Sequence, residues 1–431
     1  MARPRVLALI LAGGEGGRLE LLTEYRAKPA VPFAGTYRLI DFVLSNCANS
    51  RLDDVWVLAQ YHPHALNDHL ANGRPWDLDR TFGGLKVLQP YLGSAEGGWY
   101  QGNADAIYRQ SQSIRDFAPD LVLVLSADHV YHLDYRAVID QHQHTGATAT
   151  IVTTRVPRER AGQHGVVGVD EDGRVTAFAY KPDEPQSDLI ATEVFLYDAA
   201  TLLDTLDALI DEARGAADGD GADTDEASDA TDEDGSDTEG DKPALRDFGH
   251  ELLPRLVEAG GVREYRLDGY WRDVGTIASY WAAHRELLAD DRALPLDDPG
   301  WPLRTFAPQR PAARLAPRAR IASSLLAPGS LIAGDVSGAI LGPGVIVEEG
   351  ATVRDAIILE GARIARGATV ERAIIDAGAT IGEGATVGAP HPDAADADAA
   401  DADGVVLIGI GAVVAPQATI RAGDRVTPAS G

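Results

Sequence analysis

Val6-Leu7-Ala8-Leu9-Ile10-Leu11-Ala12-Gly13-Gly14-Glu15-Gly16-Gly17-Arg18-Leu19 sets an unbroken aliphatic run directly before a glycine-rich loop and a cation. A run this short cannot cross a bilayer as a helix, and it suits a strand buried on both faces. Similar runs rich in Val, Ile and Leu follow at Val55 to Gln60, Leu121 to Ser126 and Thr148 to Val156. Amphipathic segments such as Asp105 to Phe117 and Asp134 to His144 separate them. The alternation predicts βαβ units around a mostly parallel sheet over the first 290 residues. Ligands of such sheets bind beyond the carboxyl ends of the strands, where both the glycine loop and Asp128 fall.

The last third changes period. Gly-Ala-Thr-Val recurs at 350 to 353, 367 to 370 and 384 to 387, and Val336, Val353, Val370 and Val387 lie seventeen residues apart. A unit this short cannot bury its own apolar face, so successive coils must stack into a solenoid. With aliphatic residues recurring about every six positions, the segment resembles the left-handed parallel β-helix of hexapeptide repeats. The expected division is a first domain over 1–290, a linker over 291–315 and a β-helix over 316–431.

Charge excludes one class of partner. A net charge of −28 opposes binding to a phosphate backbone, so no nucleic-acid partner is expected. Residues 211 to 241 hold fourteen acidic side chains and one basic one, Arg214, and 211–242 reads as a disordered acidic insertion. A smaller acidic loop is expected over 391–403. Without a spanning segment or a secretion signal, the chain is expected in the cytoplasm with no membrane partner. Lysine occurs only at 28, 86, 181 and 242, whereas Arg occurs throughout. Acid-rich, lysine-poor composition suggests adaptation to high salt, and a genome rich in Arg codons is the other reading.

Glycines after a buried strand let backbone N–H groups approach phosphate oxygens closely. No Gly-Lys-Ser/Thr follows, so this is not a P-loop, and the spacing does not match the dinucleotide fingerprint. Arg18 and then Arg26-Ala27-Lys28-Pro29-Ala30 supply cations beside the cradle, which fits a triphosphate whose leaving group is pyrophosphate.

Those motifs, with Tyr37-Arg38-Leu39-Ile40-Asp41-Phe42, Leu44-Ser45-Asn46, Trp99-Tyr100-Gln101-Gly102-Asn103-Ala104-Asp105-Ala106, Asp247-Phe248-Gly249-His250-Glu251-Leu252-Leu253-Pro254 and Tyr270-Trp271-Arg272-Asp273-Val274-Gly275-Thr276, resemble the sugar nucleotidyltransferases. Within them the resemblance is to the glucose-1-phosphate adenylyltransferases, over nearly the whole chain except the acidic insertions. It implies a Rossmann-like nucleotidyltransferase domain followed by the left-handed β-helix, with ATP and glucose 1-phosphate as substrates. It implies Arg18, Lys28, Asp128 and Asp273 as catalytic residues, with Asp128 and Asp273 jointly holding Mg²⁺. Gly13, Gly14, Gly16, Gly17, Gln89, Gly102, Asn103 and Ala104 fall on the nucleotide side, and Gly165, Lys181 and Glu193 on the sugar-phosphate side. A homotetramer and small-molecule metabolite effectors are implied as well. His129 is expected to be a structural neighbour of Asp128.

The chain departs from the family pattern at several points. Tyr180 stands where relatives have Glu, and Ala191-Thr192-Glu193 where they have Ser-Met-Gly. Glu193 is therefore expected to replace the sugar-binding carboxylate lost at position 180. Leu88-Gln89-Pro90-Tyr91 replaces Leu-Pro-Ala-Gln and is more similar to the base-reading segment of thymidylyltransferases. Tyr25 occupies the place of an activator-binding Lys, and Ala127 that of a Gly. Two alternatives stay open: the same reaction with UTP, dTTP, GTP or another hexose 1-phosphate, and a regulatory subunit without catalysis.

Overall fold

A computed structural model describes residues 3–14, 16–90, 100, 102–219, 248–289, 294–390 and 404–428. The acidic loop expected at 391–403, and the acidic insertion from residue 220 onward, lie outside the described residues. Packing divides the chain into two compact units, one built from Met1–Gly13, Leu88–Leu125 and Tyr135–Asp268, the other from Gly14–Val87, Ser126–Asp134 and Gly269–Gly431.

In the first unit, strand Leu189–Asp198 is the hub of a mixed sheet. It pairs antiparallel with Leu121–Ser126 and with Ala149–Arg155, which in turn pairs parallel with Val262–Arg266. The hydrophobic runs of the sequence become buried strands here: Leu7, Leu9, Val122, Leu123, Ile151 and Leu196 lose nearly all contact with solvent. A register shift between Ala191 and Phe195 marks a bulge in the hub strand, and Glu193 within it adopts φ +56°. The helix Ala199–Gly219 runs into the stretch expected to be disordered. Leu202, Leu206 and Ile210 bury one of its faces, and that apolar row anchors the helix before the acidic sequence takes over.

The second unit contains the β-helix. Each coil contributes to three rows of parallel strands, in which Val336, Val353, Val370 and Val387 are register partners, as are Leu341, Ile358 and Ile375. With Ile332, Val347, Ile364 and Ile381 of the third row they form one buried interior. The seventeen-residue spacing is thus the length of one coil. The register passes from Val387 to Ile420, so the stacking continues on the far side of the acidic sequence.

One row of the β-helix also buries its outward side chains. Ile340, Ile357, Ile374 and Leu407 join Leu19, Leu22, Phe33, Phe42, Tyr280 and Trp281 in a second apolar cluster. Full burial of such a side chain contributes about 1.5–3 kcal/mol, which explains why aliphatic residues stand on both faces of that row. Within this unit, the loop that follows the first strand is therefore packed on the β-helix.

Candidate active site

The glycine loop is shaped by its middle. Gly16 sits at φ +78°, and a Cβ there would lie 2.9 Å from Thr23 Cγ2 and 3.2 Å from Lys28 Cβ, so only glycine fits. Its carbonyl accepts from Leu19 N and from Thr23 Oγ1, which closes the turn into the short helix Gly17–Leu22. At Gly14 and Gly17 an added Cβ would meet nothing within 4 Å, so the backbone there faces open space that a phosphate could enter. Arg18 is exposed at the rim, while Leu19 beside it is buried and pins the loop.

Lys28 opens a one-turn 3-10 helix, Lys28–Ala30, with Pro29 preset for the turn. Its ammonium, nearly buried, donates to Asp128 Oδ2 and lies 3.8 Å from Asp273 Oδ1. Asp128 stands in the turn after Leu121–Ser126. Asp273 ends the strand Trp271–Asp273, which pairs antiparallel with His129–Tyr131 so that Asp273 faces His129. That two-stranded ribbon brings together carboxylates 145 positions apart in sequence. Ser126 Oγ donates to Asp128 Oδ1, and His129 Nε2 lies 3.6 Å from Asp128 Oδ1 and 3.8 Å from Asp273 Oδ1. A Cβ at Gly275 would sit 3.1 Å from Asp273 Oδ1 and 3.4 Å from Arg18 Nη2, so Arg18 closes the cluster from the glycine-loop side.

Burial alone pushes the Asp128 carboxyl up, but the charges of Lys28 and His129 and the hydrogen bonds from Lys28 and Ser126 outweigh it. The carboxyl is held well below the usual range and is ionised at neutral pH. Asp273 Oδ1 is buried and has no hydrogen-bond partner among the described residues. A buried carboxylate oxygen left without a donor, beside a second ionised carboxylate, suits a hard divalent cation with oxygen ligands. The residues present therefore fit Mg²⁺, with Asp128 and Asp273 as the residues that would hold it.

The remaining candidates belong to the first unit. Gly165 starts a strand opposite Tyr180, and a Cβ on it would strike the Phe178 ring at 2.6 Å. Lys181, at φ +45°, donates its N–H to His164 O and carries its ammonium 4.7 Å above the Tyr180 ring. Tyr180, in place of the family Glu, fills the space over Gly249 and meets the His250 ring edge-on at 4.7 Å. Gln89 follows the strand Gly84–Leu88, and Gly102 precedes the short helix Asn103–Tyr108, in which Ala104 is buried. Sequence reading missed Ser126, which orients Asp128, and the role of Arg26, whose partner is Asp376 of the β-helix. Ser126 was legible as a hydroxyl two residues before the carboxylate; nothing local signals Asp376.

A phosphate-accessible glycine loop, flanking cations and two converging carboxylates define a nucleotidyltransferase. The family described as Nucleotidyl transferase matches residues 7–290, and that described as GlmU-like, C-terminal hexapeptide matches residues 311–408. The chain is 40% identical to the glucose-1-phosphate adenylyltransferase of Thermotoga neapolitana over 81% of this chain and 76% of that protein. It is 43% identical to the enzyme of that name from Thermomicrobium roseum over 76% and 70%, and 38% identical to that from Clostridium acetobutylicum over 83% and 86%. The chain belongs to the glucose-1-phosphate adenylyltransferase family of nucleotidyltransferase enzymes. Among the described residues no helix is long and apolar enough to cross a membrane.

Proposed function

We propose that this chain transfers an adenylyl group from ATP to glucose 1-phosphate, giving ADP-glucose and pyrophosphate for synthesis of glycogen or a related α-glucan. The observation that carries the reading is the Lys28 ammonium set between the carboxylates of Asp128 and Asp273. A phosphate oxygen of the sugar phosphate attacks the α-phosphorus of ATP in line, and the bond to the pyrophosphate breaks. The nucleophile is already an anion, so positioning and charge neutralisation carry the rate and no general base is required. Backbone N–H groups at Gly13, Gly14, Gly16 and Gly17 hold the leaving phosphates, with Arg18 and Lys28 neutralising the charge they gain. Mg²⁺ held by Asp128 and Asp273 would orient the phosphate oxygens and offset their repulsion. Ser126 and His129 keep the two carboxylates in place.

Lys181 is assigned to the sugar phosphate with Gly165, and Gln89, Gly102, Asn103 and Ala104 to the nucleotide. Glu193 is assigned to the sugar hydroxyls. Its left-handed backbone at a strand bulge is a conformation that costs a non-glycine residue of order 1–3 kcal/mol and that accumulates at functional sites. The enzyme is placed in the cytoplasm, as a homotetramer responsive to small metabolites; flat β-helix faces suit subunit packing. The test is pyrophosphate release with Mg²⁺ over ATP, UTP, dTTP and GTP, each with glucose 1-phosphate and other hexose 1-phosphates. Turnover is expected for ATP with glucose 1-phosphate, and a better rate with another pair overturns the substrate assignment. A protein inactive on every pair that activates a catalytic homologue is a regulatory subunit.

A further inference from the structure

Arg26 and Asp376 are 350 positions apart and meet in a buried ion pair, Arg26 Nη2 to Asp376 Oδ1 at 2.8 Å. The Asp376 side chain has no exposure to solvent and that of Arg26 has 7%. Asp376 stands at a corner of the β-helix after the strand Thr369–Ile375, where the coil fixes it. Its N–H donates to Ile408 O, its carbonyl accepts from Ala379 N, and its Oδ1 accepts from Ala377 N. Arg26 lies two residues before Lys28. On the far side of the same turn, Arg38 Nη1 donates to Ala30 O, and Tyr280 Oη donates to Pro32 O. The segment that carries Lys28 is therefore gripped at both ends, and its entry is tied to a rigid coil.

Surface attachment would not need a buried charge. Taking a carboxylate and a guanidinium out of water is costly, and an apolar pair would serve adhesion as well or better. What a fixed, directional contact supplies is placement of a neighbouring group. We propose that Asp376 is a positioning residue for adenylyl transfer: through Arg26 it sets the turn Lys28–Ala30 so that the Lys28 ammonium stands between Asp128 and Asp273. The inference rests on the proposed role of Lys28 and adds to it a β-helix residue remote in sequence from the chemistry.

Asp376→Asn tests this in the full-length enzyme. The expected result is a fall in kcat of about 10- to 100-fold, the penalty for displacing a catalytic group by a fraction of an ångström to one ångström, with KM for glucose 1-phosphate nearly unchanged. In a Lys28→Met background the same substitution is expected to cost nothing further. Amide exchange at Ala30 and Val31, whose N–H groups close the turn on Ala27 O and Lys28 O, is expected to quicken well beyond any change in the Leu121–Ser126 strand. A core variant from the shared apolar cluster, Ile374→Val, lowers the melting temperature without these effects. Unchanged kcat in folded Asp376→Asn, losses that multiply in the double variant, or uniform exchange changes would each overturn the proposal. If Asp376→Asn fails to fold, Arg26→Lys, which keeps the charge and loses the planar fork, is judged by the same criteria. An inactive wild type would instead indict the substrate assignment, and the exchange measurement stands apart from it.

Discussion

Replacing Lys28 by Met keeps most of the side-chain volume and removes the ammonium from between two carboxylates. At the 3.8 Å that separates Lys28 Nζ from Asp273 Oδ1, an ion pair gains roughly 4 kcal/mol at an effective dielectric of about 20. The closer contact with Asp128 adds to this, and desolvation of the nearly buried lysine subtracts. Removing one partner of a buried pair typically costs about 3–5 kcal/mol; the Asp128 side chain keeps 21% of its exposure, so the lower end, roughly 3 kcal/mol, applies. The loss carries a pH signature. The Asp128 carboxyl is depressed in the folded protein, so the stability it contributes is fully present above its ordinary unfolded value near pH 4 and disappears as pH falls toward the depressed one. In the variant, burial raises that carboxyl and the contribution shrinks. Thermal melts without Mg²⁺ should therefore separate wild type from Lys28→Met widely at pH 7 and bring them together as pH falls below 3. Turnover at pH 7 should fall by about 10²–10³, the usual loss for one preorganised charge-stabilising group. A stability gap independent of pH, or turnover within a few-fold of wild type, would refute the placement of Lys28 in this cluster.

Gly16→Ala forces a left-handed residue with a Cβ 2.9 Å from Thr23 Cγ2; destabilisation of about 1–2 kcal/mol and a raised KM for ATP are expected from melting and initial-rate measurements. Glu193→Gly relieves φ +56° and should gain about 1 kcal/mol of stability while raising KM for glucose 1-phosphate. An unchanged KM removes Glu193 from sugar binding. The net charge of −28 predicts activity that survives molar KCl, where screening relieves self-repulsion; collapse of activity across a KCl titration would reject salt adaptation.

Much of the architecture was readable from local pattern. Val336, Val353, Val370 and Val387 repeat because every coil solves the same packing problem, so the period in sequence is the register in space. The run Val6–Ala12 and the glycines after it likewise carry their own signal, since strand burial and left-handed turns depend on nearby residues. The extension of the Ala199–Gly219 helix into acidic sequence was less legible: composition argued for disorder, and the burial of Leu202, Leu206 and Ile210 overrode it.

By itself the sequence determined that a glycine cradle, two flanking cations and a stacked-coil domain exist, because each is written in residues close together. Only the tertiary structure decided that Asp128 and Asp273 share the Lys28 ammonium, through the pairing of Trp271–Asp273 with His129–Tyr131. It also decided that Arg26 meets Asp376 of the β-helix in a buried ion pair. Charges act through space over a few ångströms and carry no period along the chain, so which of them meet is fixed only once the strands and coils have packed.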